Sequence, residues 1–138
     1  MSSLIEQDKI KYNLRVIQDV IENINPKTGK PVKLDSNNPH EIADKLVELQ
    51  SILSLSVVVQ ASCKFFLENK KKQCFKELIH EIAILKVNLA KELVNSYCAS
   101  EISAHEFAER QNRCIVHQID ALRSVLSFSK SELENLKR

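Results

Sequence analysis

The chain has 138 residues, 43% of them hydrophobic and 28% charged, with a formal charge of +2. That length suits one domain with a modest core, and the hydrophobic share excludes a disordered chain. A single glycine, Gly29, argues against phosphate-cradling loops, dinucleotide fingerprints and nucleophile elbows, which need several glycines at fixed spacing.

The first helix is predicted over about Ser3 to Ile24. Ser3 and Glu6 have capping-box spacing, and Ile10, Leu14, Ile17, Ile21 and Ile24 alternate by four and three to form one apolar stripe. Asn25-Pro26 is its predicted stop. All three prolines and the glycine lie between Pro26 and Pro39, so residues 25–38 read as a polar connector. This is predicted as a loop, with a small hairpin tipped by Thr28-Gly29-Lys30 as the alternative.

Asn38-Pro39-His40-Glu41 marks the start of the second helix: a good N-cap, Pro at the first helical position, and Glu three residues after the cap. Its stripe is Ile42, Leu46, Leu49 and Leu53, and after Ile52 it is apolar on nearly every side. Such a helix is expected to be central or to meet another subunit. Residues 73–98 read as a further helix with two seams, Phe75-Leu78-Ile82-Leu85-Leu89 and Ile79-Ala83-Val87-Ala90-Val94-Tyr97, which implies partners on two sides. The last helix is expected over about Glu101 to Lys137, with Ile115, Ile119, Leu122, Leu126, Ser129, Leu133 and Leu136 as its stripe and Ser103–Glu106 as a second capping box.

The junction Glu68-Asn69-Lys70-Lys71-Lys72-Gln73 has neither Gly nor Pro and allows two outcomes. Without a break, residues 40–98 make one rod of about 88 Å that needs other chains to cover it. A turn at Asn69 gives a four-helix bundle. Either way the expected class is all-α: an elongated helical hairpin or four-helix bundle with long C-terminal helices, forming one oligomerising, coiled-coil-like domain over residues 1–138. Leu55, Val59, Phe66, Ile82 and Leu89 are the expected oligomer interface.

Ile52 to Cys63 is interrupted by Ser54, Ser56 and Gln60 and is read as too short and too polar to span a bilayer. The first residues, with Glu6 and Asp8, do not resemble a signal peptide. The expectation is therefore a cytoplasmic protein with no membrane partner, and Cys63, Cys74, Cys98 and Cys114 as reduced core thiols.

Between Lys64 and Lys76, five lysines (Lys64, Lys70, Lys71, Lys72, Lys76) face one acid, Glu68, for a local charge of +4, leaving −2 for the rest. Phe65, Phe66 and Phe75 are interspersed. Lysines displace counterions from a phosphate backbone and aromatics stack on unpaired bases, a mixture suited to single-stranded nucleic acid. The alternative is a solvated helix end with the phenylalanines in the core. Elsewhere, His105 pairs by spacing with Glu101 or Glu109, and Cys114 with His117, without a third metal ligand. No cofactor and no small-molecule substrate are expected.

Arg110-Gln111-Asn112-Arg113-Cys114-Ile115-Val116-His117 resembles the Arg-to-His motif of HEPN ribonucleases. That resemblance implies a His in acid/base catalysis and an Arg supporting the phosphate transition state. The spacing is read as carrying the two side chains about 80° apart around the helix. The segment Asn112 to Leu133, with Ile119-Asp120-Ala121-Leu122-Arg123 inside it, is similar to the last helix of UvsY-type phage recombination mediators. Lys45-Leu46-Val47-Glu48-Leu49 through Lys64-Phe65-Phe66 is similar to their long helix with its basic and aromatic segment. This second resemblance implies an oligomer in a host cytoplasm that binds single-stranded DNA and helps load a recombinase. The family's paired basic positions fall near Lys64, where the neighbours are Cys63 and Phe65, so the weight shifts to Lys70, Lys71 and Lys72. The expected function is non-catalytic: an oligomeric single-stranded-DNA-binding mediator. The alternative is a structural or assembly component, and a HEPN-like ribonuclease is the distant third.

Overall fold

Among the described residues five helices follow one another: α1 (Ser2–Ile21), α2 (Pro39–Glu77), α3 (Ile79–Ile84), α4 (Val87–Tyr97) and α5 (Ala99–Leu136). They are seen in a computed structural model that describes residues 2–137, the side chains of Ser2 and Ser3 excepted. Among the described residues there is no strand, and the fold is all-α. The capping box at Ser3 lies outside the described side chains.

Helix α1 ends at Ile21, three residues before the predicted last residue, Ile24. Asn23 takes the left-handed conformation (φ 54°), Ile24 N donates to Asp19 O (2.9 Å) and Asn23 N to Val20 O (3.1 Å). This is a Schellman ending with Asn in glycine's usual place. The connector then forms the hairpin rather than the open loop. Ile24 bridges Pro31, Asn25 N donates to Lys30 O (2.9 Å), and Gly29 (φ 69°) occupies the position that disfavours a side chain.

Helix α2 begins where the sequence places it: Asn38 Oδ1 accepts from Glu41 N at 3.3 Å. The reciprocal arm of the cap goes elsewhere, since Glu41 Oε1 accepts from Asp35 N (3.3 Å) and ties the end of the connector down. The helix passes Asn69 without interruption and stops at Glu77, so neither the turn at Asn69 nor the rod over 40–98 exists. The segment 73–98 is divided among the end of α2, α3 and α4, separated by Leu78 and by the extended pair Leu85-Lys86. Neither break contains Gly or Pro. What requires a reversal is the pairing of α5 on α2. Helix α5 starts at Ala99, which places Ser103 inside the helix rather than at a cap.

At 1.5 Å per residue α2 and α5 are each nearly 60 Å long and α1 is about 30 Å. Ser56 Oγ and Asn112 Nδ2 meet at 3.4 Å, Lys45 reaches Val20, and Gln111 reaches Leu14. These contacts make α2 antiparallel to both α1 and α5, while α1 and α5 run the same way. Ile17, Leu46, Leu49, Val59, Cys63, Ala108, Ile115 and Ile119 form the core where the three helices overlap. The result is a three-helix bundle closed at one end by the α3–α4 hairpin, rather than a four-helix bundle.

By length and composition α2 is long and apolar enough to cross a membrane, which the reading of Ile52 to Cys63 did not anticipate. In the fold its inner face, from Ile42 to Cys74, is packed inside the bundle.

Polar groups set the position of α1. Lys45 is 5% exposed, and its Nζ donates to Val20 O (2.6 Å), Asn23 Oδ1 (3.1 Å) and Glu48 Oε1 (3.3 Å). An ammonium thus sits at the C-terminal, electronegative end of α1. Gln111 and Gln118, seven residues apart on α5, donate to Leu14 O (2.8 Å) and Ile21 O (2.9 Å), seven residues apart on α1.

Candidate nucleic-acid interface

The lysine segment is the last four turns of α2, and helical geometry sorts its side chains into rows. Phe65, Lys72 and Lys76 stand at i, i+7 and i+11 and share one face; Lys64, Lys71 and Phe75 repeat that spacing on the adjacent face. Phe65 is 61% exposed and Phe75 49%, so two of the three phenylalanines lie in solvent among the lysines rather than in the core. Phe66 is half-buried and meets Phe65 edge to face, with ring centroids 5.9 Å apart.

The five lysines are not equivalent. Lys70 Nζ lies 4.9 Å from the centroid of the Tyr97 ring, a cation–π contact that holds it against the α4–α5 junction. Lys71 is half-buried and approaches Glu68 at 4.0 Å. Lys64, Lys72 and Lys76 are exposed and make no ion pair among the described residues. Beside Phe65, a groove of about 640 Å³ separates α2 from α1, with Ile10, Val58 and Phe66 on its walls and Glu6 and Lys9 together on the α1 side. Lys9 is a cation the sequence reading missed, because only the antiparallel docking of α1 brings it beside Phe65.

The patch is anchored by a pair also absent from that reading. The Tyr97 hydroxyl donates to Glu77 Oε2 (2.5 Å), and Gln73 Nε2 donates to Glu77 Oε1 (3.0 Å). The hydrogen bond to Glu77 pushes the Tyr97 phenol up to about 12. The same bond, with that from Gln73, holds the Glu77 carboxyl below its ordinary value.

The expected interface residues are divided by the fold. Val59 is 2% exposed within the chain's own core, where no second chain can reach it, and is withdrawn from that role. Leu55 packs beside the core, and Phe66 is half-buried against α1. Ile82 is half-buried and Leu89 exposed, both in the α3–α4 hairpin, which contains no buried residue at all. Cys63, Cys74 and Cys98 are buried and Cys114 half-buried, all as free thiols. Burial pushes the Cys63 and Cys98 thiols up, away from the reactive thiolate.

Arg110 and His117 need a correction of geometry. They are seven residues apart on α5, which returns them to within about 20° of one face. Both are exposed, and neither makes an ion pair among the described residues. His105 Nε2 lies 3.6 Å from Glu109 Oε1. Among the described residues no three His, Cys, Asp or Glu side chains gather as a metal site.

The fold and this face define a class by structure: an antiparallel three-helix bundle with a helical-hairpin end and an exposed basic–aromatic helix face. The chain matches no family model, no curated protein and no solved structure.

Proposed function

We propose that the protein works by association rather than catalysis, as an oligomeric binder of single-stranded nucleic acid. The observation that carries this reading is the pair of rows on α2, in which exposed Phe65 and Phe75 alternate with Lys64, Lys72 and Lys76. Lysines at this spacing engage phosphates, the exposed rings offer stacking surfaces, and repetition in an oligomer multiplies a modest charge per chain. Loading of a recombinase is the finer role that the UvsY-type resemblance implies. Faster strand exchange on addition of the protein supports that role, and an unchanged rate removes it.

The test is salt-titrated binding of a fluorescent single-stranded oligonucleotide. Lys72→Glu with Lys76→Glu is expected to weaken binding at least tenfold and to flatten its salt dependence. Phe65→Ala is expected to weaken binding fivefold or more while leaving the salt slope as it was, because stacking releases no counterions. Wild-type affinity in both variants overturns the assignment. A structural or assembly role is the second reading, favoured by the exposed apolar hairpin at one end of the bundle.

A further inference from the structure

Two apolar surfaces lie unpaired at opposite ends of the molecule. One is the α3–α4 hairpin: Ile84 (86% exposed) and Val87 (71%) stand in solvent, and Phe75, Ile82, Leu85, Val87 and Val94 line a groove of about 590 Å³. Its charged lining residues are Lys71 and Lys91, with no acid.

The other is the far end of α5. From the Ser56–Asn112 contact, seventeen residues toward the start of α2 lead to Pro39, and seventeen along α5 lead to Ser129. Beyond Ser129, α5 has no α2 beside it, and residues 130–137 are all exposed. The stripe that packs Ile115, Ile119, Leu122 and Leu126 into the bundle nevertheless continues in register to Leu133 and Leu136. An apolar stripe continuing past its internal partner is a half-interface.

Charge indicates which surface meets which. The groove end, residues 64–101, has seven lysines against five glutamates; the opposite end, residues 19–48 and 118–137, has seven cations against nine anions. Two groove ends would repel, whereas a groove end and a tail end attract. Within the tail itself Glu132 and Glu134 are balanced by Lys130 and Lys137, so the attraction is between the two ends as wholes and the tail brings no net charge against Lys71 and Lys91.

We infer that the end of α5 from one copy seats Leu133 and Leu136 in the α3–α4 groove of the next, giving a head-to-tail assembly. This rests on the oligomeric reading above and gives it a geometry: a heterologous contact that closes into a ring or continues as a filament. It takes Phe75 into the protein contact but leaves Phe65, Lys64, Lys72 and Lys76 uncovered and repeats them at every subunit.

Two half-dead variants test it by light scattering. Leu133→Asp with Leu136→Asp removes the tail stripe, and Val87→Asp with Lys91→Glu removes the groove. All four positions are exposed, so helical content by circular dichroism is expected to stay unchanged. Each variant alone is expected at the 15.8 kDa monomer mass, and an equimolar mixture at twice that, because one intact groove and one intact tail remain. A wild type that is already a monomer at high micromolar concentration overturns the oligomeric reading and this inference together. An oligomeric wild type whose tail variant keeps its mass overturns only the inference, as does a mixture that stays monomeric.

Discussion

Lys45 and Tyr97 are single side chains whose partners explain their positions. Removing the Lys45 ammonium while keeping its stem, in Lys45→Met, takes the charged donor from Val20 O, which keeps only Asn23 N (3.1 Å), and leaves the end of α1 without its cation. Glu48 is half-exposed and remains solvated, so most of the loss belongs to the carbonyl and Asn23 contacts. The expected cost is about 2 kcal/mol by urea unfolding; a variant as stable as wild type would show the clamp to be idle. Tyr97 makes a pH prediction with a definite sign. Its phenol is pushed up from 10.0 to about 12, so the protonated form is favoured in the fold. The Glu77 bond therefore contributes fully below pH 10, and its contribution is lost as pH rises from there through about 12. In a Tyr12→Phe background, phenolate absorbance should report a Tyr97 midpoint near 12, and Glu77→Gln should bring it down. An unmoved midpoint in the double variant would deny that Glu77 is the cause.

At the scale of elements, Gln111 and Gln118 look alike in sequence and are expected to behave differently. Both leave their Oε1 buried without a partner, so replacement by Met removes an unsatisfied acceptor along with a donor. Leu14 O lies inside α1 and keeps its helical bond, whereas Ile21 O belongs to the last helical residue. Gln111→Met is therefore expected to be nearly neutral, and Gln118→Met to cost about 1 kcal/mol. Equal losses in urea unfolding would contradict the capping role. Elements with local chemical signals were legible from sequence: the Asn38-Pro39 start of α2, and α5, whose stripe runs from Ile115 to Leu136. The end of α1 was not, because it depends on Asn23 turning left-handed and on Lys45 arriving from another helix. The breaks at Leu78 and Leu85 were also hidden, since tertiary pairing rather than any breaker residue imposes them. Of the candidate site, the lysines could be located in sequence. Which of them stay uncommitted depends on Glu68 and Tyr97, and only the latter required a contact across the fold. Val59 shows the converse difficulty, for a helix apolar all round does not reveal which side its own chain will cover.

The whole molecule has three helices only in its middle, where α1 overlaps the other two, and thins toward both ends. Amide protection should follow that outline: deepest near Ile17, Leu49 and Ile115, shallow in α3 and in residues 130–137. Head-to-tail assembly adds a dependence that the monomer lacks. Raising the protein concentration should slow exchange in the α3–α4 hairpin and at the end of α5 together, since one contact buries both, while the core amides stay unchanged. Protection gained by the hairpin alone would describe two groove ends meeting, and protection gained by the tail alone would describe tails pairing with each other. Both of those contacts are isologous and end at a dimer, whereas a head-to-tail contact leaves a free groove and a free tail after every addition. Joint protection should therefore come with a mass beyond two subunits, and exchange measured across concentration discriminates among the three.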